Sequence, residues 1–236
     1  MENTPAFSPL EKKLLTAYIF WEICNLIAIK YTEYTCAPRI QYRVMYLAIC
    51  VNTLVTAFFY WKYGKDGGKL NRVNLLAGAL FMTLIADFFM TLLNLRLPGF
   101  IAFCLVELIY AAFFQFSKKN NLYRLVVFTV FLAIVFITEN FSLSNIFGII
   151  NMTLLTVNVI CAISFYRQNT IRWSWYLALG FALFAGCDYS ILVRNLATGS
   201  LYNFAYFMTW IFYVPSQVFI VLSYVLAVKS AGRDLL

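Results

Sequence analysis

The sequence predicts an all-α membrane protein, eight transmembrane helices forming a single integral-membrane domain over residues 1–236. Three observations carry that reading. The 236 residues are 63% hydrophobic and 12% charged, with a mean hydropathy of +0.78, and the apolar stretches recur at the length that a bilayer requires. The connections between them are short, with turn signals at Gly67-Gly68, Pro98-Gly99 and Gly199. The basic residues are also sorted by side. With eight spans and both termini on the cytoplasmic face, that face holds 13 of the 18 Lys and Arg residues, leaving Lys30, Arg39, Arg43, Arg96 and Arg194 opposite. The net charge of +8 is therefore a topology signal that suits anionic lipid. No nucleic-acid partner is expected.

The spans are drawn at 14–30, 45–62, 73–94, 99–117, 123–138, 142–166, 173–195 and 203–228. No small-residue cleavage site follows the first apolar run, so it reads as helix 1 and not as a removable signal. Helix 1 lines up Tyr18, Glu22 and Asn25 on one face, and helix 2 lines up Asn52, Thr56 and Tyr60. Helix 3 carries LIADFFMTLLN, where Thr83, Asp87, Thr91 and Asn94 share a face at i−4, i, i+4 and i+7. Helix 4 offers Glu107, Tyr110 and Gln115, and helix 6 offers Asn151 and Asn158. Helix 5 is almost without polar residues and is expected to face lipid. Helix 7 repeats the helix 3 theme in LFAGCDYSILVRN, with Asp188 and Asn195 spaced as Asp87 and Asn94 are. Helix 8 aligns Tyr206, Tyr213, Gln217 and Tyr224, with Pro215 between them. The shared D-x₆-N of helices 3 and 7 suggests a parallel four-plus-four repeat.

An ionised carboxylate deep in a span costs several kcal/mol unless it faces a polar cavity, pairs or takes a proton. Seven polar stripes, each bland alone as interhelical hydrogen bonding, together imply an interior cavity holding Glu22, Asp87, Glu107 and Asp188. The absence of His removes Ser-His and Cys-His nucleophiles and His-ligated metal. The six Cys lack CxxC spacing and read as reduced and mostly buried. No Walker loop, GxSxG or mid-helix Lys is present, and no cofactor or metal is expected.

The segments ADFFMTLLNLRLPGFIAFCLVELIYAAFF, FALFAGCDYSILVRN and FYVPSQVFIVLSY resemble those of the YhhN-type lysoplasmalogenase family in order and spacing. The family's eight-helix plan suits the whole chain. The resemblance places Asp87 and Asp188 at the two family acids, and Tyr213 and Gln217 at the polar pair of the last helix. Asn52 stands about where the family has Lys, Glu107 where it commonly has His, and Ala86 where Gly precedes the first Asp. The resemblance implies hydrolysis of the vinyl ether of a lysoplasmalogen to a fatty aldehyde and a glycerophospho-alcohol.

That chemistry suits two carboxyls in different environments: one delivers a proton to carbon, and the other stabilises the oxocarbenium ion and orients water. Asp87 and Asp188 are the expected catalytic pair. Asp188, flanked by Phe184, Ile191 and Leu192, is the expected donor. Asp87, on a face with Thr83, Thr91 and Asn94, is the expected carboxylate, because hydrogen bonds favour the anion. Glu107, Tyr110, Asn52, Asn94, Asn195, Tyr213, Gln217 and Arg194 are expected around the substrate, with Arg194 or Arg96 near its phosphate. The expected partners are the bilayer and an amphiphilic lysolipid; location is multi-pass membrane, the plasma membrane in a bacterium. The alternatives are an integral-membrane terpene cyclase and a non-enzymatic lipid or solute transporter or sensor. An intramembrane aspartyl protease is disfavoured because GxGD is absent.

Overall fold

The structure, a computed structural model, describes residues 7–35, 37–64, 72–115, 117–137, 142–169, 171–196 and 198–231. Cys36, Lys65, Gly67, Gly68, Lys69 and Arg233 lie outside the described residues. The helices run α1 Pro9–Tyr34, α2 Pro38–Tyr63, α3 Asn74–Asp87, α4 Arg96–Phe113, α5 Lys118–Ile137, α6 Leu143–Asn169, α7 Arg172–Leu196 and α8 Gly199–Ala231. A π-helical turn, Phe88–Leu92, prolongs α3. Among the described residues there is no strand, as a bilayer demands of a chain that must satisfy every backbone group within each segment.

Among the described residues, seven helices are long and apolar enough to cross a membrane. The remaining helix, α5, carries Lys118, Lys119, Asn120, Asn121 and Arg124 in its first two turns, so the apolar part left is shorter than the ~20 residues of a full span. Among the described residues it packs only against α6, and Leu122, Leu125, Val126 and Val130 along it are exposed.

The order of neighbours has an internal echo. α1 packs on α2, α2 on α3 and α3 on α4; likewise α5 packs on α6, α6 on α7 and α7 on α8. The two sets meet through α2 with α8 and α4 with α6, a pair that exchanges into itself if the first four helices are swapped for the last four. The echo breaks at α1 with α8 and α3 with α8, which have no counterparts among the described residues. The tightest pair is α7 with α8. A Cβ at Gly180 would stand 2.7 Å from Ile220 Cγ1 and 3.2 Å from Ser216 O, so only glycine allows that approach.

The end of the bundle where α1 begins and α8 finishes is tied by charge. Ser8 and Glu11 form a capping box at the start of α1, the Ser8 N–H donating to Glu11 Oε2 at 2.8 Å. The same carboxylate accepts from Lys62 Nζ at 2.8 Å, and also from Lys229 Nζ and the Tyr63 hydroxyl. Glu11 is wholly covered, whereas Lys62 is 35% exposed, so the cluster sits at a wet boundary. Glu11→Gln is expected to lower the thermal midpoint, with the deficit shrinking as salt rises because screening weakens the native cluster. An unchanged midpoint at low salt would overturn this.

Candidate functional site in the helical bundle

Asp87 is the last residue of α3 before the chain widens into the π-turn. There the Leu93 N–H reaches back to Phe88 O at 3.2 Å and the Leu95 N–H to Phe89 O at 2.8 Å. π-turns of this kind accommodate extra backbone inside a helix and occur often at functional sites. The register therefore changes immediately after Asp87, yet Thr91 and Asn94 still border the same space as Asp87, as the expected face requires, whereas Thr83 does not. Asn94 ends the segment with φ at 52°, a conformation that Asn tolerates better than most residues.

The hydroxyls expected to hold the Asp87 carboxylate do not do so. Thr83 Oγ1 donates to Ala79 O at 3.0 Å and Thr91 Oγ1 to the backbone carbonyl of Asp87 at 2.5 Å. This is the usual fate of a helical Thr, whose hydroxyl finds the carbonyl one turn back. The donor to Asp87 Oδ2 comes from α8, the Tyr213 hydroxyl. Asp188 likewise has a donor its own helix does not reveal. Asn151 Nδ2 of α6 lies 3.1 Å from Asp188 Oδ2. Asp87 is buried and Asp188 half-buried.

Both carboxyls line one cavity of about 650 Å³, within the usual range for a small-molecule site. Its deepest lining residues, helix by helix, are Met45, Asp87, Phe103, Met152, Cys187 and Tyr213. Phe100, Phe131, Ile149, Ile191 and Trp210 make the wall largely apolar. It opens at the end opposite the Glu11 cluster, where the lining residues Arg39, Asn94, Arg96 and Asn195 are exposed. Arg194 lies at the same mouth, its guanidinium 5.5 Å from the centre of the Tyr206 ring. Tyr206 is in turn anchored by its hydroxyl to Gln41 Oε1 at 2.8 Å. Of the expected site residues, Asp87, Asp188, Asn94, Asn195, Tyr213 and Arg194 thus share the cavity.

The chain matches the YhhN family over residues 42–224. It belongs to that family. The matched region begins in the second turn of α2 and ends in α8, so it contains both cavity carboxyls, and α1 lies outside it. No curated protein and no solved structure matches the chain.

Other expected residues of this YhhN-family protein lie elsewhere. Glu107 does not line the cavity. It sits one turn from Phe103 toward the terminal end and is wholly buried. There Asn158 Nδ2 donates both to its carboxylate Oε2 at 2.7 Å and to its backbone carbonyl at 2.9 Å. Tyr110 is enclosed at the same level, its ring 4.7 Å from that of Phe181. Asn52 is buried between α1 and α2, accepting from the Tyr18 hydroxyl at 2.5 Å. Gln217 and Glu22 are buried away from the cavity. Tyr60 and Gln115, expected to face inward, are exposed. The polar stripes therefore divide between a cavity and a packed layer beneath it, because a stripe serves equally to wet a space or to bond a neighbouring helix.

Asn151 belongs to the site, although taken singly the Asn151/Asn158 stripe reads as packing and only with the other stripes as part of a cavity wall. The two lie seven residues apart on one face of α6, the first serving Asp188 and the second Glu107. Arg39, Tyr42 and Thr209 are further cavity residues that the sequence did not single out. For Arg39 the signal was membership in the basic minority on the mouth side. Among the described residues, no three Cys, Asp or Glu side chains gather as a metal site.

Proposed function

We propose that this YhhN-family protein is a membrane-embedded hydrolase that cleaves the vinyl ether bond of lysoplasmalogen-like lysolipids. One observation carries the reading: two carboxyls from different helices share one largely apolar-walled cavity with arginines at its mouth. A cavity whose lining stops short of Glu107 and Tyr110 suits a reaction chamber, whereas access from alternate sides would favour transport.

In the proposed reaction, Asp188 gives its proton to the ether-remote carbon of the C=C bond. The electron pair of that bond takes up the proton, leaving an oxocarbenium ion at the carbon attached to oxygen. Asp87, held by the Tyr213 hydroxyl, is the carboxylate that stabilises this cation across the cavity. Water adds to the cationic carbon and passes a proton to the Asp188 carboxylate, restoring the acid. The resulting hemiacetal collapses to a fatty aldehyde and a glycerophospho-alcohol, so that one water is consumed per bond cleaved. Asn151 suits a residue that changes protonation state: its amide donates to the Asp188 anion and, turned over, accepts from the acid.

The alkenyl chain is assigned to Phe100, Phe103, Phe131 and Met152, on the side where α5 and α6 border lipid. Purified protein incubated with a lysoplasmalogen is expected to release fatty aldehyde, and with an ester-linked lysolipid to release neither aldehyde nor fatty acid. Release of fatty acid from the ester, or no aldehyde from the vinyl ether, would overturn the reading.

A further inference from the structure

The cavity reaches only about as deep as its acids. Met152, its deepest lining residue on α6, lies nine residues after Leu143, and Phe103 lies seven after Arg96 on α4. Along a helix those separations are about 14 Å and about 10 Å. Asp188 lies eight residues before the end of α7, about 12 Å down by the same measure. A lipid chain that spans one leaflet needs about 15 Å, half of a ~30 Å hydrocarbon core. With the phosphate at the mouth and the ether at the acids, no room for such a chain is left beneath the reacting bond. The chain has to turn sideways.

The lining of α6 shows where. It passes from Asn151, the partner of Asp188, through Gly148 and Met152 to Asn145 and Ile149. Ile149 stands about 160° round the helix from Asn151, so the cavity wraps the whole face that α6 turns to α7. On α7 the opposing lining residues are Ile191 and Leu192. Beyond Ile149 the cavity meets Phe131, among the described residues the only one of α5 in its wall. Phe131 is half-buried, and its neighbours Val130 and Leu132 are exposed. One turn below Met152 the same two helices are latched together. Thr156 Oγ1 donates to Met152 O at 2.6 Å and accepts from the Tyr189 hydroxyl at 2.8 Å. Tyr189 is 37% exposed, so the latch lies on the outer surface of the bundle. Above it, α6 and α7 border the cavity instead of each other.

We infer that the gap between α6 and α7, bordered by Phe131 and floored by the Thr156–Tyr189 pair, is a lateral portal for the hydrocarbon chain of the lysolipid. The ether is held at Asp87 and Asp188 while the rest of the chain stays in the bilayer. The protein then reads the first few carbons of the chain and leaves its far end unselected. The inference rests on the ether-lipid reading of the same cavity, but binding alone tests it, without turnover.

The probes are stable 1-O-alkyl lysolipid analogues, compared at equal mole fraction in nanodiscs that hold the full-length protein. A pyrene ring at the end of a hexadecyl chain is expected to change affinity by less than about threefold, because the chain end only exchanges one apolar surrounding for another. The same ring beside the ether is expected to weaken binding by about tenfold or more, the cost of overpacking a cavity. A diazirine at mid-chain should label peptides around Phe131, Ile149 and Leu192. Leu192→Trp should weaken binding of the hexadecyl analogue and spare that of a 1-O-ethyl analogue, whose chain ends inside the cavity. Rejection of the terminal ring, or equal acceptance of both rings, would overturn the portal. So would labelling confined to α2 and α8, or unchanged binding of the long chain by Leu192→Trp. The ring comparison uses the unaltered protein, so it decides the matter even where the tryptophan disturbs folding. Binding as expected with no aldehyde released from the vinyl ether lipid would leave the portal standing and count against the hydrolase reading.

Discussion

Asp188→Asn and Asp87→Asn are each expected to remove most of the proposed vinyl ether hydrolysis while leaving the protein folded. For Asp188 the expected loss is about 10²–10⁴-fold, the contribution of a positioned general acid. For Asp87 it is about 10²–10³-fold, that of a fixed group facing developing charge. Asparagine keeps the shape and the bond to Tyr213 or Asn151, but it carries neither an exchangeable acid proton nor a charge. The roles separate with an activated substrate whose alkene is protonated with less help: it should rescue Asp188→Asn more than Asp87→Asn. Equal or reversed rescue would reverse the assignment, and full activity in both variants would end the carboxylate mechanism. In the wild type, activity should fall at high pH as the donor loses its proton. That limb belongs to the interacting pair jointly, so the substrate comparison and not the pH profile names the donor.

Asn158→Leu is expected to cost the fold more than other single changes near the site, by about 3 kcal/mol or more. Asn158 and Glu107 are both wholly buried, and Asn158 is the donor to Glu107 at the carboxylate and the backbone carbonyl. Leucine would leave a buried carboxyl and a buried carbonyl without that donor, the asymmetric case in which the full desolvation penalty is felt. Asn158→Leu with Glu107→Leu should recover much of the loss, since removing both polar partners is far milder than removing one. Thermal unfolding of the single and double variants in one detergent makes the comparison. A double variant less stable than Asn158→Leu would show that the pair is not the source of the effect.

The membrane class, the helix order and the depth of both aspartates follow from the chain itself. Hydropathy is a local property, and a span must satisfy its own backbone wherever it sits. The family was legible for a related reason: Asp87, Asp188 and Tyr213 lie in segments whose order and spacing survive in one dimension. What joins those segments was not. Tyr213 meets Asp87 from 126 residues away, and Asn151 meets Asp188 from 37. Helical periodicity tells which residues share a face but not what that face meets. Glu107 and Asp188 therefore look alike as inward acids, yet one is closed in by Asn158 and the other lines a cavity. The π-turn after Asp87 was not legible, because a change of backbone register leaves no mark in a 3.6-residue pattern, yet Thr91 and Asn94 still line the cavity with Asp87. Only the packing of α3, α6, α7 and α8 decided which polar residues became a site and which became the layer that holds it closed.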